Sequence, residues 1–95
     1  MKKLTNPSIV EKTVREHGIT GEYEVGVYQA SVEEMKKLWD GQVHDVLSFS
    51  LELDKTYPDG VIRLGDIVIC DQEKDIESLV KHGCLHLLGI HHLIA

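Results

Sequence analysis

The spacing of hydrophobic and polar residues changes period several times along the chain, and each change predicts an element. From Tyr23 to Ala30 the positions alternate, with Tyr23, Val25 and Val27 on one face, which predicts a strand. The alternation is clearest from Asp45 to Leu53. There Leu47, Phe49, Leu51 and Leu53 point one way and Ser48, Ser50 and Glu52 the other. A polar turn, Asp54 to Gly60 with Pro58-Asp59-Gly60 at its tip, leads to a further strand from Val61 to Cys70. Its run Ile67-Val68-Ile69-Cys70 is continuously apolar, as a strand buried on both faces requires. Gly65 interrupts this strand and marks a bulge or a close backbone approach.

Helical spacing fills the rest. Pro7 to His17 predicts a first helix, with Asn6 as cap, Pro7 in the first turn, Gly18 as stop, and a thin apolar face of Ile9, Val10 and Val14. Ser31-Val-Glu-Glu34 is a capping box for a second helix. Met35, Leu38 and Trp39 form its apolar face, and Asp40-Gly41 close it. A last helix starts at Asp71 or Asp75, with Ile76, Leu79, Val80, Gly83 and Leu87 on one stripe. The order is helix, strand, helix, strand, strand, helix. It predicts a small α+β fold, a mixed sheet with helices packed on it, in one domain over residues 1–95.

Composition narrows the class. Net charge is -6, which argues against passive polyanion binding but leaves room for a local phosphate site built on a metal or one cation. No run approaches transmembrane length, and the start Met-Lys-Lys-Leu-Thr-Asn-Pro lacks the apolar stretch of a signal peptide. Cys70 and Cys84 form no CxxC and need no disulfide, so a reducing cytoplasm is the expected compartment.

The chemistry concentrates at the end of the chain. Four of the six histidines fall in the last fourteen residues, in the run His82-Gly-Cys-Leu-His86-Leu-Leu-Gly89-Ile-His91-His92. On a helix, His82 and His86 stack on one face one turn apart, beside Leu79, while Cys84 lies nearly opposite as a small buried residue. Gly89 can end the helix in a left-handed turn and bring His92 back to the pair. The His-x3-His-x5-His pattern predicts three ligands for one divalent ion on the last helix, His82, His86 and His92. Zinc is expected, with nickel or another divalent metal also suited to the donors. The fourth position stays open for a water, whose pKa the metal lowers. His91 competes with His92 as third ligand. The Gly spacing favours His92, which leaves His91 as an acid–base candidate. The metzincin proteases share the His-x3-His-x2-Gly-x2-His frame but carry Glu after the first His as general base. Here that residue is Gly83, so the peptidase reading falls behind.

A second frame fits more of the chain. The His82–His92 run resembles the His-Gly-x-Leu-His-Leu-x-Gly-Tyr-Asp-His signature of the YbeY family of endoribonucleases. Asp45-Val-Leu-Ser-Phe49 resembles that family's Thr-Asp-Val-Leu-Ser-Phe, and Leu64-Gly-Asp-Ile-Val-Ile-Cys70 its Gly-Asp-Ile-Val-Ile strand. The resemblance implies a mixed sheet of about four strands and a zinc-dependent, single-strand-specific endoribonuclease acting in ribosomal RNA maturation. A metal-bound water or hydroxide would assist phosphodiester cleavage. It implies single-stranded or ribosomal RNA as substrate, ribosomal proteins as further partners, and a chain without the family's usual C-terminal helix. Three positions depart from the pattern: Asp40 stands for an Arg, His44 for a Thr and His91 for an Asp. His91, His44 and Arg63 are candidates for the donor that the Arg would have supplied, and the match places Ser48 and Asp66 near the cleft. The alternative is a catalytically degenerate, zinc-stabilised binding module for a ribosomal or RNA-processing partner.

Overall fold

The computed structural model describes residues 1–51 and 58–90. Its elements are β1 (Lys2–Lys3), α1 (Ser8–Glu16), β2 (Tyr23–Ala30), α2 (Val32–Leu38), β3 (Val46–Ser50), β4 (Ile62–Cys70) and α3 (Ile76–Leu87). The strands form one sheet in the order β1-β2-β4-β3. β2 and β4 run parallel, while β1 and β3 flank them antiparallel. This is the expected α+β class, with a mixed four-stranded sheet and three helices.

β4 lies between β2 and β3, and its Ile67, Val68, Ile69 and Cys70 are all buried, as the unbroken apolar run predicts. One face of the sheet carries α1 and α3. Val10 and Val14, Val25 and Val27, Leu64, Ile67 and Ile69, and Val80, Cys84 and Leu87 form a single cluster there. On the other face α2 covers a smaller cluster of Ala30, Met35, Val68 and Cys70.

Gly65 satisfies both of its expected roles. Register passes from Glu24↔Arg63 to Val25↔Gly65, so Leu64 is the extra residue of a bulge. Leu64 and Ile67 are three apart and would face opposite ways on an unbroken strand. The bulge returns both to the larger cluster. Gly65 has φ 131°, and a Cβ there would overlap the Phe49 carbonyl oxygen.

Four local expectations need correction. β1 was not anticipated, because a two-residue Lys-Lys strand carries no alternation; it pairs Lys2 with Gln29 and Lys3 with Tyr28 and leaves charge on the sheet edge. Asn6 does not cap α1. Pro7 occupies that position, and the Asn6 amide donates to Val25 O at 3.0 Å, tying the chain to β2 instead. Trp39 is not part of a buried helical face: it lies past the end of α2 and is 70% exposed. The apolar face of β3 and the residue after it is only partly covered, with Phe49 and Leu51 exposed. The expected strand positions Glu52 and Leu53 lie outside the described residues.

Candidate metal centre

α3 is fixed at both ends by its own sequence. Asp75 is the cap, its side chain accepting from Ser78 N at 3.2 Å. At the other end Gly89, with φ 81°, donates to His86 O at 3.0 Å and Ile90 N to Leu85 O at 2.9 Å. These two bonds are the Schellman pair that a glycine after the helix predicts. Gly83 sets how close α3 lies to the sheet, since a Cβ there would sit 2.8 Å from Ile67 Cγ2 and 3.1 Å from Ser48 Oγ. The metzincin base would therefore have no room at this position.

With α3 so placed, His82 and His86 converge. Their Nε2 atoms are 3.0 Å apart, with ring centroids 4.5 Å apart and planes at 62°. Two zinc–imidazole bonds of about 2.0–2.1 Å at a tetrahedral angle hold their nitrogens roughly 3.3 Å apart. The pair is thus set almost at chelating separation before any ion enters. In the neutral state one Nε2–H can donate to the other's lone pair. The donor set and spacing fit a divalent ion. His91 and the third expected ligand, His92, lie outside the described residues.

The histidines open into a cleft of about 370 Å³ whose other wall is β3 and the loop after α2, including Ser48, Ser50 and Trp39. Ser48 is here as expected, and its hydroxyl donates to Gly83 O at 3.3 Å, joining β3 to α3. The polar face of β3 is the face turned towards this helix.

Asp66 and Arg63 are not in this cleft. Both line a separate depression on the opposite face of the sheet, with Tyr28 and Leu51. The bulge accounts for this: it hands the helix-facing direction to Ile67 and turns Asp66 away. Arg63 is held there by Asp59 at 2.8 Å, and this pairing helps bring the Asp59 carboxyl down to about 2. Arg63 is therefore corrected as a source of the phosphate donor.

Two departures from the family pattern meet each other. His44 Nε2 lies 3.0 Å from both Asp40 Oδ1 and Oδ2. Desolvation pushes the Asp40 carboxyl up, but the hydrogen bonds from His44 and from Gln42 N–H outweigh it and hold the pKa below its ordinary value. Gly41, with φ 79°, makes the turn between the two. The His44 ring in turn lies 5.5 Å from that of Trp39, at 35°. Trp39 is a cleft residue that periodicity placed on the apolar face of α2, and Ser50 lines the cleft on the same strand face as Ser48. The one available signal was a lone Trp next to Asp-Gly at a helix end.

No family model matches the chain. Among curated proteins it is similar to the endoribonuclease YbeY of Rubrobacter xylanophilus, 52% identical over 50 residues that take in 50% of this chain and 33% of the relative. It is also similar to the endoribonuclease YbeY of Staphylococcus saprophyticus, 34% identical over 80 residues, 65% of this chain and 52% of the relative. The chain spans a third to a half of the length of these relatives. Over that part, its sequence is similar to the YbeY endoribonucleases.

Proposed function

We propose that this protein is a metal-dependent endoribonuclease of the YbeY type, cleaving single-stranded RNA and acting in ribosomal RNA maturation. The observation that carries the reading is the approach of His82 and His86 Nε2 to 3.0 Å at the wall of an open cleft. The names of the two relatives supply the reaction class. His82 and His86 would hold a zinc ion together with His92. When bound, a divalent ion supplies Lewis acidity and an acidified water. The chain's own residues do the rest. Ser48 locks β3 against α3 and so keeps the cleft wall in register with the ligands. Gly83 keeps the helix close enough for that bond. His44, oriented by Asp40, and His91 are the proton-carrying groups assigned to the reaction.

A second reading has one observation in its favour. Among the described residues that line the cleft there is no Lys or Arg to meet the charge that builds on a phosphoryl oxygen. On that reading the zinc stabilises a binding module for a ribosomal or RNA-processing partner, and the cleft does no chemistry.

Two measurements test this. Metal analysis should give one ion per chain, and His86→Ala should lose stoichiometric binding; full zinc retained in that variant would refute the ligand assignment. Single-turnover cleavage of a short single-stranded RNA by zinc-loaded protein should exceed that of His82→Ala. Equal, negligible rates would end the nuclease reading and leave the binding module.

A further inference from the structure

Trp39 is the chain's single tryptophan and its most exposed large hydrophobic residue among those described, yet it lines the cleft that holds His82 and His86. The indole is 70% exposed, so its face is open to a ligand. Its ring lies 5.5 Å from that of His44, at 35°, and His44 Nε2 lies 3.0 Å from both Asp40 carboxylate oxygens. An exposed aromatic surface beside a candidate metal pair, on a chain of net charge -6, suits a ligand held by stacking better than one held by phosphate contacts.

We propose that Trp39 is a base-stacking platform for single-stranded nucleic acid at the lip of the His82–His86 cleft, with His44 and Asp40 as its positioning residues. The proposal rests on the RNA reading above and names how that cleft grips its substrate. A stacked base is sequence-tolerant, because every base offers a π face. The chain would then bind single strands with little sequence preference and a shallow salt dependence.

The single tryptophan is its own reporter. Zinc-loaded protein is titrated with a single-stranded 2′-O-methyl hexanucleotide, and with a base-free ribose-phosphate oligomer of equal charge, following Trp39 fluorescence and, separately, the anisotropy of a dye on the oligonucleotide. The hexanucleotide should quench Trp39 and the base-free oligomer should not. Trp39→Ala should weaken hexanucleotide binding by roughly five- to 150-fold, from the usual worth of one aromatic stack. Trp39→Phe should recover most of that loss, and both variants should keep the zinc content of the wild type. His44→Ala should bind several-fold more weakly and show lower tryptophan anisotropy in the free protein, which a role in fold stability alone would not produce. Binding by Trp39→Ala within twofold of wild type, or binding without quenching, would overturn the stack, leave the RNA reading standing and assign the indole to a protein contact. No binding of the hexanucleotide by the wild type would overturn both.

Discussion

Replacing Gly83 with Ala sets two effects of known size against each other. Ala is the better helix residue by about 0.8–1 kcal/mol. The new Cβ, however, would stand 2.8 Å from Ile67 Cγ2, 3.2 Å from Ile67 Cγ1 and 3.1 Å from Ser48 Oγ. Ile67 is fully buried on the inner strand of the sheet, and its β-branched side chain is restricted at χ1, so it has little freedom to move aside. Overpacking of this kind costs about 1–3 kcal/mol. The balance runs from near zero to a net loss of about 2 kcal/mol. At a urea slope of roughly 1 kcal/mol/M for a domain this small, the midpoint should fall by up to about 2 M. The titration is run with chelator present, so that metal linkage adds nothing to either protein. The cause is checked by a double-mutant cycle in stabilising sucrose. Ile67→Ala removes both γ carbons and by itself costs about 2–5 kcal/mol. In that background Gly83→Ala should turn neutral or favourable, a coupling of about 1–3 kcal/mol. A raised midpoint in Gly83→Ala alone, or the same penalty in both backgrounds, would refute the close approach of α3 to the sheet on which the histidine placement depends.

Other expectations concern caps and charge. Ser31→Ala removes the hydroxyl that accepts from Glu34 N–H at 3.1 Å, while the backbone N–H at that position keeps its bond to Glu34 Oε1; it should cost about 0.5–2 kcal/mol in the same titration while leaving zinc content unchanged, and a midpoint equal to wild type would show that α2 does not need its cap. Burial pushes the Cys84 thiol up to about 11 from 9.0. Because the unfolded thiol ionises first, that contribution is complete below pH 9.0 and is lost as pH rises through about 11. Cys84→Ala should flatten this alkaline limb of stability, and an unchanged limb would place its cause elsewhere. At the acid end, Glu34 is held down to about 2 by the N-terminal amine, and Asp59 to about 2 by Arg63. Their contribution is present above the ordinary carboxylate range and is lost as pH falls towards about 2. Both groups meet solvent, so the limb should be shallow and should shrink in 0.5 M salt, about a 4 Å Debye length; a steep, salt-insensitive limb would contradict this.

The strands over 23–30 and 62–70, the capping box at Ser31 and the glycine stop after α3 were legible because each rests on a short-range rule. Period decides the element, and a cap or a left-handed turn involves residues only a few positions apart. The His82–His86 pair belongs to the same class. Four positions on a helix are one turn, so the approach to 3.0 Å follows from spacing once the helix exists. Asp66 was misplaced for a different reason. Its facing depends on the bulge at Leu64, and the bulge is needed only because Leu64 and Ile67 must enter the same cluster as helix residues far away in sequence.

The polar face of β3 shows the same division. Alternation separates Ser48 and Ser50 from Leu47 and Phe49, but it cannot say which set meets solvent. That choice was made by α3, which lies close because Gly83 has no side chain and accepts a hydrogen bond from Ser48 thirty-five residues earlier. The elements other than β1, the Ser31 capping box, the glycine stop after α3 and the histidine pair were thus legible from residues within about one helical turn of each other. Only the tertiary structure decided that the pair faces Trp39, Ser48 and Ser50, that Asp40 and His44 bind each other beside it, and that Arg63 and Asp66 lie on the far side of the sheet. Those placements depend on which faces pack together, and packing is a property of the whole chain.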